Sequence, residues 1–472
     1  MAKHGVFVSE MATSAVTPAT VETGVPFFIG ASPIQNADNP ATPGVPVLCT
    51  TWNEAVQKLG YSDDWATYPL CEAMYSHFKL YNVSPAIFCN LLDASTMKSA
   101  VAAADKNVVS KKVALSKKAI PGSVVVKVQG GTGTAYVKDT DYTLYFADEV
   151  LTVELLPAST HYSESTLNIA YDEVTPASVD NSAVAAGIEA VDLCMSTIGL
   201  IPDLLVAPGY SENTGVAAVM AAKAEAINGM FRAKAIIDLS TAASGGADTY
   251  DEVIALKNSN NFTDENEIVC WPLVKLDDKV FHLSTQIAGV IASTDATYSA
   301  PHVSPSNKGL QCDGLCTIAG GEVILSLEQA NILNGGGVVT ALNFMGGFKA
   351  WGNYTGCYPA NQDVKDYFIS VSRMIDFVGN TLIRTFWGKL DEPMTRRFID
   401  TILDSCNIWL NGLTGSGYIL GGRCEMLESE NPVTNLMAGI VKLHVYITPP
   451  SPAQEIDFVI EYDPAYVTAA LT

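Results

Sequence analysis

The carboxylate best placed for chemistry is Asp238. It ends the apolar run Ala235, Ile236 and Ile237, and open α/β sheets hold their ligands at strand C-termini. A helix cap or a loop hydrogen bond would use the same position without any reaction. No partner joins it. The six histidines (His4, His77, His161, His282, His302, His444) are dispersed, and none falls in the His-Glu-x-x-His spacing of a zinc protease. Leu413, Thr414, Gly415, Ser416 and Gly417 mimic a nucleophile elbow in letters only, because they follow a helical pattern rather than a strand. Gly130, Gly131, Thr132 and Gly133 lack both the helix and the closing Lys-Ser/Thr of a phosphate loop, and read as a hairpin turn. Ten cysteines are present, and Cys312 with Cys316 is their one close pair. It has no second pair and no nearby histidine, so no zinc site is expected there. The other cysteines sit mostly in apolar segments, as reduced core thiols do. No catalytic residue, metal or cofactor is expected, and the chain reads as a non-enzyme. An enzyme built on the α/β core is the alternative from a different class.

Composition narrows the setting. The 472 residues are 48% hydrophobic, with 27 basic and 50 acidic side chains and a formal charge of −23. Such an acidic surface repels nucleic acid and anionic lipid, so neither DNA nor a membrane is an expected partner. No apolar run approaches the roughly 20 residues of a membrane span. No apolar stretch follows Lys3 and His4 in the manner of a secretory signal. Cytoplasmic synthesis is the expectation. Copies of the chain would repel one another, so self-association must rest on burial and backbone pairing.

The elements that could position a site come next. Residues 5–9 form a short strand, followed by a Thr/Ala/Pro/Val tract to about Val21 with no helical period. Val25, Pro26, Phe27, Phe28, Ile29 and Gly30 read as a buried strand. Thr51 caps a helix over 52–59 that Gly60 stops. A helix over 66–81 and a strand over 84–92 follow. Residues 95–175 change character to short strands between turn clusters, at 122–128, 142–146, 150–155 and 167–171, an inserted β unit. From 176 strands and helices alternate, predicting a parallel sheet covered on both faces. Two amphipathic helices come later. One stripe runs Val364, Tyr367, Phe368, Val371, Ile375, Val378, Leu382, Ile383, Phe386. The other starts at Asp391, Glu392 and Pro393 and carries Phe398, Ile402, Leu403, Cys406, Trp409, Leu410 and Leu413. A strand near 439–447 follows.

The fold class is therefore an α/β core with a largely parallel sheet, an inserted small all-β domain, an α+β C-terminal domain, and extended N- and C-terminal strand arms. The limits are 1–22 for the N-terminal arm, 23–94 and 176–345 for the core, 95–175 for the exposed insertion, 346–447 for the C-terminal domain and 448–472 for the last arm. In that arm Ile456, Phe458, Ile460 and Tyr462 alternate with Glu455, Asp457, Val459 and Glu461, a period-two strand with one mostly acidic face. Pro449, Pro450 and Pro452 precede it as a hinge. A detached strand cannot pair its own backbone, so Val6, Phe7, Val8, Ile456, Phe458, Ile460 and Tyr462 are expected to add to sheet edges on neighbouring subunits.

At these residues the chain resembles the tail sheath family of contractile phage tails, phage-tail-like bacteriocins and contractile injection systems. The likeness runs from Gly5, Val6, Phe7, Val8, Ser9 and Glu10 through Leu205, Val206, Ala207, Pro208 and Gly209. It continues at Ala300 to Lys308 and at Phe348, Lys349, Ala350, Trp351, Gly352 and Asn353. Its most specific set is C-terminal: Lys389, Leu390, Asp391, Glu392, Pro393; Asn407, Ile408, Trp409, Leu410; and Thr448, Pro449, Pro450 leading to Glu455, Ile456, Asp457, Phe458. Asn353 departs from the arginine often found there.

The resemblance implies a structural subunit that polymerises helically, in six-fold rings, around an inner tail tube. It would contract from a metastable extended state to drive the tube through a target envelope, with baseplate and tail terminator proteins as further partners. Its place would be the virion tail, assembled in the host bacterial cytoplasm, or the sheath of a bacteriocin or extracellular injection system. Residues 373–397 hold Arg373, Arg384, Lys389, Arg396 and Arg397 against Asp376, Asp391 and Glu392, net +2 in an acidic chain. They are the expected contact to an acidic patch on the inner tube, with a solvated helix face held by local ion pairs as the bland alternative.

Overall fold

The computed structural model describes residues 22–471, so Val6, Phe7 and Val8 lie outside the described residues. Pro26–Gly30 (β1) is buried along its whole length, as expected of a strand covered on both faces. Val47–Cys49 (β2) pairs antiparallel with Ala86–Asn90 (β3), which lies parallel to β1. On the other side of β1 come Leu204–Val206 (β4), Lys234–Asp238 (β5), Glu267–Cys270 (β6) and Val338–Asn343 (β7), all parallel. Phe348–Trp351 (β8) closes the sheet antiparallel to β7. The order is β8-β7-β6-β5-β4-β1-β3-β2. The chain leaves β1 in one direction and β4 in the other, so the crevice between them is the switch point of the sheet. The outer edge of β8 is covered by the segment around Lys308: Asn307 N and Leu310 N donate to Ala350 and Phe348 carbonyls at 2.6 and 3.0 Å, and Ala350 N donates to Lys308 O at 2.9 Å.

Local signals set several boundaries. Trp52–Leu59 (α1) starts where Thr51 Oγ1 accepts from Glu54 N at 3.2 Å, and ends at Gly60, whose φ is +73°. Leu283–Tyr298 (α2) packs on β4, β5 and β6 and is buried on most of its surface.

Between β3 and β4 the chain builds two three-stranded sheets. Lys98–Asn107, Thr166–Val174 and Val125–Val128 form one; Lys112–Ala114, Val150–Leu155 and Tyr142–Ala147 form the other. They enclose their own core, with Val126, Leu151, Val153, Leu167 and Ile169 buried. The expected hairpin at residues 130–133 is not there, because the strands flanking it belong to different sheets. That loop is pinned instead by Asp105, which accepts from Gly130 N at 3.0 Å and from Asn168 Nδ2 at 2.7 Å. The true two-residue hairpin turn is Asp148 and Glu149, at φ +47° and +64°, the mirror-image turn that matches strand twist. Glu149 also accepts from Ser62 Oγ at 2.7 Å and Asp63 N at 3.0 Å, fastening the turn to the core.

The C-terminal helices also differ from expectation. The apolar stripe from Val364 is two helices, Val364–Tyr367 and Ile369–Phe386 (α3), because Phe368 is extended (φ −83°, ψ 121°). The next helix, Arg396–Gly415 (α4), starts at a Thr395 cap rather than at Asp391. Gly421–Glu425 (β9) and His444–Thr448 (β10) form a two-stranded antiparallel sheet. Met374, Phe377, Cys406, Leu410 and Ile419 fill the core between α3, α4 and this sheet.

Candidate assembly site

After Thr448, paired with Gly421, Pro449 is buried while Pro450 and Pro452 are half-buried. Of the three prolines expected as a hinge, Pro449 is thus the one held in the body of the protein. The last side-chain anchor is Gln454, whose Oε1 accepts from Tyr354 OH at 2.7 Å. Beyond it residues 455–463 carry no strand pairing among the described residues. Ile456, Phe458, Ile460 and Tyr462 are 70, 86, 94 and 78% exposed. A short helix, Ala465–Leu471, follows.

The sheet beside the root of this arm has only two strands, so each has an outer side without a strand partner among the described residues. The two edges are not equivalent. Asn407 Nδ2 donates to Cys424 O and its Oδ1 accepts from Cys424 N, both at 2.8 Å. The ladder groups of β9 at Cys424 therefore face α4. Val445 lies opposite Cys424 in register, and alternation points its backbone groups outward as well. The more open edge is β10.

The basic cluster divides. Arg373 is 4% exposed and cannot reach an outside partner, which corrects its expected role. Its Nη2 lies 2.6 Å from both Asp203 and Asp295. Lys389 pairs with Glu392 and Arg396 with Asp400, each at 3.0 Å. Arg397 is exposed and Arg384 half-buried, and neither has an ion pair among the described residues. Trp387 and Leu390 are exposed in the same turn, an apolar tip between cations that charge counting did not reveal.

Sequence reasoning also missed a polar face on α3. Arg373, Asp376 and Asn380 are all buried and helically spaced. Lys234 Nζ lies 3.0 Å from Asp376. Asn380 accepts from Arg232 N at 3.0 Å and donates to Arg232 O at 2.8 Å. Thr23 and Gly24, at the root of the N-terminal arm, share the Asp203 carboxylate. One buried node thus joins the arm root, the core and α3. Three polar residues at helical spacing inside an apolar stripe were the available signal.

Asp238 takes the role of a cap. Its Oδ1 accepts from Ser284 N at 2.9 Å, and its Oδ2 from the Ser284 and Ser211 hydroxyls. It satisfies the first turn of α2, and burial pushes its carboxyl up to about 6. Nearby, His282 Nδ1 lies 2.8 Å from Glu72. Burial opposes the imidazolium, but the Glu72 carboxylate prevails and raises His282 to about 10. Among the described residues no group of three or more His, Cys, Asp or Glu is arranged to hold a metal, and no helix is long and apolar enough to cross a membrane.

The described residues thus combine an α/β core, a two-stranded sheet and an exposed apolar C-terminal segment. No protein-family model matches the sequence. The tail sheath protein of Burkholderia phage BcepMu is 24% identical over 98% of this chain and 97% of its own length. That of Escherichia phage P2 is 26% identical over 59% of this chain and 67% of its own. Among solved structures, the contracted helical sheath of the anti-feeding prophage matches with a TM-score of 0.60 at 16% identity, covering 98% of this chain and all of that one. The contracted sheath complex of the extracellular injection system PVC also gives 0.60, at 14% identity and 99% coverage of both. The chain is a relative, over nearly its whole length, of the contractile tail sheath proteins.

Proposed function

We propose that this chain is the sheath subunit of a contractile phage-type tail. Copies polymerise helically around an inner tube and shorten from a metastable extended state, driving the tube through a target envelope. The observation that carries this is the exposed apolar arm beside an open strand edge, in a chain whose near-full-length relatives are sheaths. Two copies satisfy each other where one cannot: the arm gains backbone partners, and the edge of β10 gains a strand. The first arm, 1–22, and the limits 95–175, 346–447 and 448–472 belong to the same reading, with Val6, Phe7 and Val8 adding to a further edge.

The tube would lie against Arg384, Trp387, Leu390 and Arg397, with the baseplate and a terminator at the two ends. The acidic charge supports a protein that contacts other proteins and not DNA. The work of contraction is stored in two packings of one sequence, so no reaction site or cofactor enters. The same subunit would serve a bacteriocin or an extracellular injection system. Electron microscopy of the purified full chain tests the reading. Hollow helical polymers wider than a tail tube are expected; a stable monomer at assembly concentrations would overturn it.

A further inference from the structure

We propose that Cys406 and Cys424 form an oxidisable dithiol, a modification site at which a peroxide joins β9 to α4 through a disulfide. Both side chains lie in the small C-terminal core with Leu410 and Ile419. Asn407, the neighbour of Cys406, grips the backbone of Cys424 through two 2.8 Å hydrogen bonds. That bidentate contact fixes the strand at Cys424 against the helix one residue from Cys406. Both cysteines are free thiols. Interaction between the two thiols pushes Cys406 up and holds Cys424 below its ordinary value. Cys424 is also the more exposed of the two, at 6% against 2%. The thiolate is the reacting form, so Cys424 attacks first.

The step balances with one peroxide. The Cys424 thiolate attacks a peroxide oxygen, the O–O bond breaks, and the departing hydroxide takes a proton to become water. The resulting sulfenic acid is attacked by the Cys406 sulfur. The S–S bond forms, the S–O bond breaks, and a second water leaves with the Cys406 proton. Two sulfurs are oxidised by one electron each and one peroxide is reduced to two waters. These contacts carry the proposal independently of the sheath reading. Its consequence is mechanical, since β9 would no longer separate from α4.

The test uses the full chain, purified under reductant and then treated with hydrogen peroxide. After denaturation, free thiols are alkylated and the protein is digested without reductant. The expected result is a single cross-linked pair of peptides holding Cys406 and Cys424, with two alkylated thiols lost of the ten. Ten alkylated thiols, a link to any other cysteine, or sulfinic acid on Cys424 beside an alkylated Cys406 would each overturn the proposal. In Cys406→Ala, or in Cys406→Ser should the alanine variant not fold, dimedone is expected to trap Cys424 as a sulfenic acid that the wild type converts to disulfide. Equal dimedone labelling of wild type and variant would overturn it too.

Discussion

Arg373 on α3 meets Asp295 on α2 through a two-pronged contact, Nη1 to Oδ1 at 3.2 Å and Nη2 to Oδ2 at 2.6 Å. Asp203 holds the same Nη2 at 2.6 Å while its Oδ1 accepts from Val25 N at 2.7 Å. Thr23, Gly24 and Val25 are therefore tied to α3 through the carboxylates that Arg373 holds. Removing the guanidinium leaves the buried Asp295 carboxylate beside the half-buried Asp203 carboxylate. Arg373→Met is expected to destabilise the folded monomer by about 3–5 kcal/mol, measured by urea unfolding. The charge-removing control Arg397→Met should change little, because Arg397 is exposed.

The His282–Glu72 pair gives a pH dependence with a defined sign. His282 is raised from 6.5 to about 10, so the folded state holds its proton more tightly than the unfolded chain. The stability it supplies is complete below about pH 6.5 and is lost as pH rises towards 10. Unfolding midpoints of the wild type should fall across that window. His282→Gln should flatten this part of the profile, and an unchanged slope in the variant would rule the pair out as its source.

The arm makes a separable prediction. Residues 455–471 make no strand pairing among the described residues, so deleting 455–472 should leave the melting midpoint of the monomer nearly unchanged. Polymer growth, followed by light scattering, should stop. Polymers that form at the wild-type rate would remove the arm from the assembly contact.

Much of this was legible from residue types. Thr51 and Gly60 announce α1 by cap chemistry, and alternating strands and helices announce the parallel sheet. Elements set by tertiary context were not. Residues 130–133 look like a turn because of their glycines, yet the hairpin turns at Asp148 and Glu149, where contacts from Ser62 and Asp63 hold it. No glycine or proline marks the break at Phe368, which bridges to Tyr354. Arg373 reads as a surface cation on an amphipathic helix, because its partners Asp203 and Asp295 are 170 and 78 residues away. Asn353, the departure from the family pattern, hydrogen-bonds Ser304 and accepts from Ile369 N through its carbonyl. It braces the segment that covers β8 against the start of α3.

The proposed tube contact, reduced to Arg384 and Arg397, is tested by charge reversal. Both lack ion pairs among the described residues, whereas Arg396 is engaged with Asp400. The pair Arg384→Glu and Arg397→Glu should lower co-sedimentation with inner tubes several-fold. It should also weaken the salt dependence of binding, since exposed charges act through a screened field. Arg396→Glu alone should do less. Equal loss from all three would point to a general effect of charge on the helix.

The edge of β10 is the sharpest place to separate folding from assembly. Val445 stands opposite Cys424, whose backbone groups are turned to Asn407 and away from β10. Val445 N–H therefore points to the outer edge, and Val445→Pro removes a donor that no neighbour among the described residues uses. Proline is tolerated on an edge with its nitrogen outward and is disruptive where a ladder bond is made. Val445→Pro should thus keep the monomer within about 1 kcal/mol of wild type, given the modest cost of a compatible proline, while blocking an added strand. Tyr446→Pro, one residue on, strikes the inner ladder and should loosen the β9–β10 sheet itself. Urea unfolding of both monomers, followed by electron microscopy, gives the comparison. A folded Val445→Pro protein that still polymerises would mean that the arm adds elsewhere.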